Sequence, residues 1–291
     1  MDLRHLRSLL AIAELGSFAA AAQAVGRTPS AVSLHIQALE QELGTALFDR
    51  RHRPPLLTPA GRALVARARQ LVDLWDDIRA TIVGGELAGN LELGAVPTAL
   101  ASILPRALSD FLAAHPKVHM RVVSGLSAEL AARVRRAELD VAVVTEPQQP
   151  LEGLVWHEFL RERLMVIAPA ELTGESDREL LESRPFIQFS RRTWAGELID
   201  RHLRRRRINV RIGMEIDSLE AIRAMVRHGL GVSVVPLGPV RPPCEGLRFL
   251  PLGRPPSERP IGIVERSGNP KTRLVQGLLV ELRRANVPPA T

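Results

Sequence analysis

The sequence predicts an all-α winged helix-turn-helix at the N-terminus, a long connecting helix, and then an α/β unit. Three observations carry this prediction. Residues 27–44, RTPSAVSLHIQALEQELG, open on a helix-start signal and align Val32, Ile36, Leu39 and Leu43 on one face, with Ser30, Ser33, Leu34 and Gln37 on another. Two short helical segments precede this stretch, and each ends at a glycine. Beyond a glycine-rich joint at 84–90, strand and helix patterns alternate, which is the signature of α/β domains with mostly parallel sheets.

Leu3–Leu15 is expected to be the first helix, with Leu6, Leu9, Leu10 and Ala13 on one face and Gly16 at its end. Ser17 is a candidate N-cap for FAAAAQAV, whose alanines allow another helix to approach closely. Gly26 closes this helix, because glycine takes positive φ at little cost. Thr28 as N-cap and Pro29 at the first helical position then start the third helix. Helix, tight turn, helix is the pattern of a helix-turn-helix. In TALFDRRHRPPLLTPAG the prolines at 54 and 55 exclude a helix interior, and short apolar pairs flank an arginine-rich tip, so a two-stranded wing is expected.

Thr58 and Pro59 repeat the start signal for a helix running to about Val83, with Leu64, Ala68, Leu71, Leu74, Trp75, Ile78 and Ile82 at helical spacing. This stripe has no adjacent partner in sequence. It suits pairing with its copy in a second subunit, and the alternative is packing on the chain's own C-terminal unit. Further on, LELGAV, VHMRVV, DVAVVTE, LMVIAP, FIQF, VRIGMEI and GVSVVP read as strands. TALASILPRALSDFLAAH, SAELAARVRRAEL, WAGELIDRHLRRRRI and LEAIRAMVRHGLG read as helices.

A chain of 291 residues accommodates two or three domains, and 45% hydrophobic with 24% charged residues is the composition of a soluble globular protein. The net charge of +7 favours a polyanionic partner only if it is suitably placed. Residues 1–61 carry six Arg against five Asp and Glu, so net charge alone does not mark the N-terminal segment for DNA. The lone Cys244 excludes an intrachain disulfide. The N-terminus lacks the long apolar run of a signal peptide, and no stretch approaches the ~18 apolar residues of a membrane span, so a cytoplasmic protein is expected.

No catalytic set stands out. Pro116 breaks the helix that would align His115 and His119 as a metal pair, no serine sits in a G-x-S-x-G elbow, and the glycines of GELAGNLELG lack phosphate-loop spacing. Neither enzyme activity nor a cofactor is expected.

The N-terminal motifs closely resemble the LysR-type family of bacterial transcriptional regulators. The match is carried by LRHLRSLLAIAELGSFAAAAQAV and TPSAVSLHIQALEQELGTALFDRRHRPPLLTPAG, with weaker agreement at GNLELG, LDVAVV and GLGVSVVP. The resemblance implies a winged helix-turn-helix over 1–58, a linker and dimerisation helix with a hinge over 59–89, and a two-lobed, periplasmic-binding-protein-like effector domain over 90–291. Lobe I is expected at about 90–160 and 267–291, and lobe II at about 161–266. The implied partners are double-stranded DNA, a small-molecule effector, further copies of the chain as dimer or tetramer, and RNA polymerase.

On this reading the buried stripe docks the third helix and its polar face enters the major groove. The expected DNA-binding residues are Arg27, Thr28, Pro29, Ser30, Ser33, Leu34 and Gln37, with Arg50, Arg51 and Arg53 on the wing. The family commonly carries Gln at 29, Arg or Gln at 34 and an apolar residue at 27. Pro29 cannot read a base by hydrogen bonding, Leu34 suits a thymine methyl, and Arg27 suits a phosphate. In the effector domain, Thr98 follows the first strand at a helix start with Ser102 one turn on, Ser127 and Thr145 follow the second and third strands, Ser190 ends FIQFS and Ser218 caps LEAIRAMV. The resemblance favours Thr98, Ser127, Thr145, Ser190 and Ser218 as effector contacts, and hydroxyls beside helix N-termini suit a carboxylate or another small anion. The alternative for each is that it is only an N-cap. The six arginines of DRHLRRRRINVR are expected to form the solvated end of a helix rather than an anion site. The alternative to a ligand-responsive regulator is an architectural DNA-binding protein with no effector.

Overall fold

The computed structural model describes residues 2–49, 51–52, 54–83, 86–238 and 245–286. The chain divides into two compact units, Met1–Gly89 and Asn90–Thr291.

In the first unit, α1 (Leu3–Leu15) begins where the Asp2 carboxylate accepts from the Arg4 backbone N–H and ends at Gly16, whose φ of 64° suits glycine. Ser17 caps α2 (Phe18–Ala24), and Thr28 caps α3 (Pro29–Leu43) by accepting from the Ala31 N–H at 3.2 Å. Leu6, Leu9, Ile12, Ala21, Ala22, Val32, Ile36 and Leu39 form one small core. Each buried Leu or Ile there contributes about 1.5–3 kcal/mol of transfer free energy. A two-stranded wing follows, β1 (Phe48–Asp49) paired antiparallel with β2 (Leu56–Leu57). Glu40 of α3 holds it in place, because its Oε1 accepts from the Leu47 and Phe48 N–H groups at 2.8 and 3.3 Å. The long helix is α4 (Pro59–Val83). Its first turn lies against the wing so closely that a Cβ on Gly61 would stand 2.2 Å from the Leu47 carbonyl oxygen.

The second unit runs β3 (Gly89–Ala95), α5 (Pro97–Leu100), α6 (Leu104–Ala114), β4 (Val118–Ser124), α7 (Ser127–Arg135), β5 (Val141–Thr145) and β6 (Leu154–Pro169). It continues through α8 (Asp177–Ser183), β7 (Phe186–Phe189), α9 (Trp194–Arg205), β8 (Ile212–Ile216), α10 (Leu219–Arg227), β9 (Val232–Leu237), β10 (Leu247–Pro251), β11 (Glu258–Arg266) and α11 (Thr272–Ala285). Among the described residues its strands form one nine-stranded sheet, ordered β4-β3-β5-β11-β6-β9-β7-β8, with β10 also on β6. The pairs β3–β5, β7–β8 and β7–β9 are parallel. β11 is antiparallel to both β5 and β6, and β6 is antiparallel to β9.

This topology differs from the sequence reading in three respects. The sheets are mixed rather than mostly parallel, because β6 and β11 run in opposite directions between the lobes and join them into one sheet. The chain returns to the first lobe at β11, ahead of the expected 267, since Glu258–Arg266 pairs with β5 and the first part of β6. The expected helix over 98–115 is two, α5 and α6, because Pro105 has no N–H to continue the ladder.

The second lobe packs Leu164, Val166, Phe186, Ile199, Ile222, Val234 and Leu252, among others, into one core. In the first lobe, Lys271 donates to the buried Asp140 at 2.9 Å, and Asp140 accepts from the Glu92 N–H at 2.7 Å, which anchors the start of α11 to the sheet. The arginine-rich end of α9 is largely solvated: Arg204 pairs with Asp200, and Arg206 pairs with Asp177 of α8. Cys244 lies outside the described residues.

Candidate functional site: nucleic-acid interface and ligand cavity

The buried stripe of α3 fixes which side chains face outward. Val32, Ile36 and Leu39 are fully buried, so Ser30, Leu34 and Gln37 are exposed and Ser33 is half-buried beside them. Leu34 is 63% exposed, a large apolar side chain on an otherwise polar face. Arg27, Thr28 and Pro29 are exposed at the helix entry, where the Thr28 and Ser30 hydroxyls lie 3.0 Å apart. The first-turn N–H groups and these hydroxyls present donors at one end of α3, an arrangement that suits a phosphate.

At the wing, Arg51 donates through Nε and Nη2 to Asp49 at 2.9 and 2.7 Å. This pairing holds the Asp49 carboxyl well below the usual carboxylate range. The arginine is thereby oriented while still exposed. Arg50 and Arg53 lie outside the described residues.

In the same unit, α1 meets α3 through a tilted pair of imidazoles, His5 and His35, with centroids 4.7 Å apart. The Ser8 hydroxyl and His35 Nδ1 are 2.8 Å apart. Burial lowers the His35 pKa, and the neighbouring His5, Arg27 and Arg4 push it the same way.

Five of the six hydroxyls picked out in the second unit, those of Thr98, Ser102, Ser127, Thr145 and Ser218, line one cavity of about 640 Å³. Ser190 does not line it. Its hydroxyl donates to Glu215 at 2.8 Å, and together with the Arg191 N–H this lowers the Glu215 pKa. The neighbours of Ser190, Phe189 and Thr193, take the wall position instead. Gly196 is required here, because a Cβ would meet the Ser190 carbonyl oxygen at 2.1 Å where α9 starts against the end of β7.

The hydroxyls differ in what they already do. Ser218 caps α10 by accepting from the Ala221 N–H, and Ser102 donates to the Thr98 carbonyl. Ser127 accepts from the Thr145 N–H at 3.3 Å. Thr98 accepts from Arg259 at 3.1 Å. The Thr145 hydroxyl has no hydrogen-bond partner among the described residues, although Thr145 is only 2% exposed.

The sequence reading missed the charged part of the wall. Arg259 of β11 and Glu162 of β6 stand opposite each other in the ladder and form a buried ion pair, with Nε–Oε2 at 2.8 Å and side chains 2% and 4% exposed. Arg223, Asp217 and Glu220, from α10 and the turn before it, complete the charged lining. A signal was present: Arg259 directly precedes the apolar run PIGIV, where a buried charge needs a partner. With three carboxylates against two guanidinium groups, this wall does not carry the expectation of a purely anionic ligand. Among the described residues no group of side chains could hold a metal ion, and no helix is long and apolar enough to cross a membrane.

A winged helix-turn-helix with a polar recognition face, carried by a chain whose second unit encloses a small-molecule cavity between two α/β lobes, defines a ligand-responsive DNA-binding regulator. Comparison with known proteins agrees. Residues 3–62 match the bacterial regulatory helix-turn-helix protein, lysR family, and residues 84–286 match the LysR substrate binding domain. The chain belongs to the LysR family of transcriptional regulators. It is 34% identical to the HTH-type transcriptional regulator IlvY of Escherichia coli (strain K12), over 81% of this chain and 82% of that one. A structure of a Corynebacterium glutamicum OxyR mutant superposes with a TM-score of 0.78 at 26% identity, covering 98% of this chain and 92% of that one. Full-length CbnR, solved in complex with its target DNA, shares the fold at a TM-score of 0.56 and 23% identity, covering 98% of this chain and all of that one. The chain is thus a transcriptional regulator with an effector-binding domain, not an enzyme.

Proposed function

We propose that the chain acts in the cytoplasm as a homo-oligomer that reads an imperfect inverted repeat and responds to a small molecule held between the lobes of its second unit. The observation that carries the reading is α3. It buries one stripe and leaves Ser30, Ser33, Leu34 and Gln37 on the other side of a capped helix. Ser30, Ser33 and Gln37 supply hydrogen bonds to base edges and phosphates, and Leu34 meets a thymine methyl. Arg27 and the wing arginines Arg50, Arg51 and Arg53 take flanking phosphates.

Pairing of two copies through α4 is supported by Leu71, Leu74, Trp75 and Ile78, each more than 40% exposed along one helix. Thr98, Ser102, Ser127, Thr145, Ser218 and the neighbourhood of Ser190 form the effector site. A ligand with different affinity for two arrangements of the oligomer shifts their populations, and with them the path of the DNA and contact with RNA polymerase.

The test is in-vitro selection from random DNA with the full-length protein at fixed, near-physiological salt. An enriched inverted repeat, bound at about 10⁻⁸ M or tighter, is the expected result. Salt-sensitive binding with no enriched sequence would overturn it in favour of an architectural protein, with Pro29 and Leu34 having removed the readout.

A further inference from the structure

The lining of the cavity says more about its occupant than its volume does. Arg259 is neutralised by Glu162 within the wall and also donates to Thr98, so it offers little net positive charge to a ligand. The first-lobe side is rich in O–H donors. Ser127 and Thr98 each accept a bond through oxygen and keep the hydroxyl proton for another partner. The Thr145 hydroxyl, on a residue 2% exposed, has no partner among the described residues. The first turn of α7, at whose start Ser127 lies, has no side-chain cap, because its N-cap is Leu126. This side is built to bind an acceptor group.

The second-lobe side is net acidic, with the two carboxylates of Asp217 and Glu220 against the single guanidinium of Arg223. Asp217 and Glu220 stand at the start of α10 on the rim of the same cavity, and neither carboxylate has an ion pair or hydrogen bond with another described residue. Between the two sides the wall is apolar, with Val96, Leu126, Phe189 and Pro236. A dianion or a simple carboxylic acid would satisfy the first side and leave the carboxylates of Asp217 and Glu220, which outnumber Arg223 there, without a cationic partner on the ligand.

We infer that the effector is a zwitterion on an apolar body, an amino acid or a close relative, with its carboxylate toward Thr145 and Ser127 and its ammonium toward Asp217 and Glu220. This rests on the cavity being the effector site. The pairing is a charge-assisted hydrogen bond at each end, joined by hydrophobic contact along the middle.

Two matched series test it on the full-length protein by calorimetry and thermal shift: phenylalanine, phenethylamine and hydrocinnamate, and leucine, isoamylamine and isocaproate. The amino acid of at least one series is expected to bind more tightly than either of its one-charge analogues. The double variant Asp217→Asn with Glu220→Gln should lower affinity for that amino acid by about tenfold and leave affinity for the acid unchanged or higher. Thr145→Val should weaken the amino acid and the acid but not the amine. If the acid binds as tightly as the amino acid and responds to Thr145→Val, the zwitterion is overturned and the effector site stands. If binding is indifferent to all these substitutions, or no member of either series binds, the assignment of this cavity falls with it.

Discussion

Replacing Glu162 by Gln is the sharpest perturbation of the second unit. The substitution keeps the shape of the side chain and removes its charge, which leaves the Arg259 guanidinium enclosed where its side chain is only 2% exposed. Thr98 Oγ1, at 3.1 Å, remains as a neutral acceptor and cannot replace a carboxylate. Removing one partner of a buried pair costs about 3–5 kcal/mol. In a unit of this size each kcal/mol lowers the melting temperature by roughly 2–4 °C, so the expected fall is roughly 6–20 °C. Circular dichroism melts of the full-length, ligand-free protein would read it as movement of the transition belonging to the second unit. Replacing both partners, Glu162→Leu with Arg259→Met, should recover most of the loss, because the whole pair is close to neutral against well-packed apolar side chains. A fall below about 2 °C for Glu162→Gln would refute the argument that this pair is buried and coupled. So would a double variant whose loss equals the sum of the two single losses.

Four further outcomes are expected. Gly61→Ala should destabilise the first unit by about 1–3 kcal/mol or more, because the new Cβ would overlap the Leu47 carbonyl, and an unchanged melt would mean that wing and helix are not packed as described. Arg51→Ala should weaken binding to every DNA sequence and flatten the salt slope by about one unit, whereas an unchanged slope would place Arg51 off the phosphates. Burial and neighbouring cations hold the His35 pKa down, so its neutral form stabilises the first unit above about pH 6.5 and that contribution is lost as pH falls below this toward the folded-state value. His35→Gln should flatten the resulting pH dependence of urea unfolding, and an undiminished slope would assign it elsewhere. At Asp177, burial opposes ionisation, but Arg206 and the Gly253 N–H outweigh it and lower the pKa, so its contribution is present above about pH 4 and lost as pH drops further. Asp177→Asn should therefore lower stability at neutral pH and reduce the loss below pH 4, as followed by acid titration of the melting temperature.

The first unit was legible because its signals are local. Thr28, Pro29 and the Val32–Ile36–Leu39 stripe specify α3 within a dozen or so positions, and Ser17, Gly16 and Gly26 mark the turns around it. In the second unit the apolar strands β5 and β9 were the plainest, and the mixed strands β4 and β8 were legible from β-branched and apolar residues between turn signals. The first part of β6, LVWHEFLRER, mixes charged and apolar residues because one face of it is half-open, so its periodicity did not announce a strand. The hydroxyls of the cavity could be found because Thr98, Ser127 and Ser218 stand at helix starts, Thr145 ends a strand, and the family resemblance pointed to the same places. The Glu162–Arg259 pair could not be assigned, since its members are far apart in sequence and meet only through the register of β6 with β11. Ser190 was misplaced for a related reason. It ends a strand as a ligand residue would, but Glu215, on the neighbouring strand β8, claims its hydroxyl.

The route of β6 and β11 also sets an order of assembly during synthesis. The core of the second lobe is drawn from one continuous stretch, Leu164 to Leu252, and is complete as soon as that stretch has emerged. The first lobe is not. Its strand β5 sits between β3 and β11, with Thr145 opposite Ile261, and its helix α6 packs on α11. Those last contacts close long loops, the slowest kind to form. Vectorial synthesis therefore finishes the later lobe first, against the usual N-terminal-first order. The earlier lobe must keep an open strand edge at β5 until residues 258–285 arrive, and Arg259 delivers the final charged residue of the cavity wall in the same step.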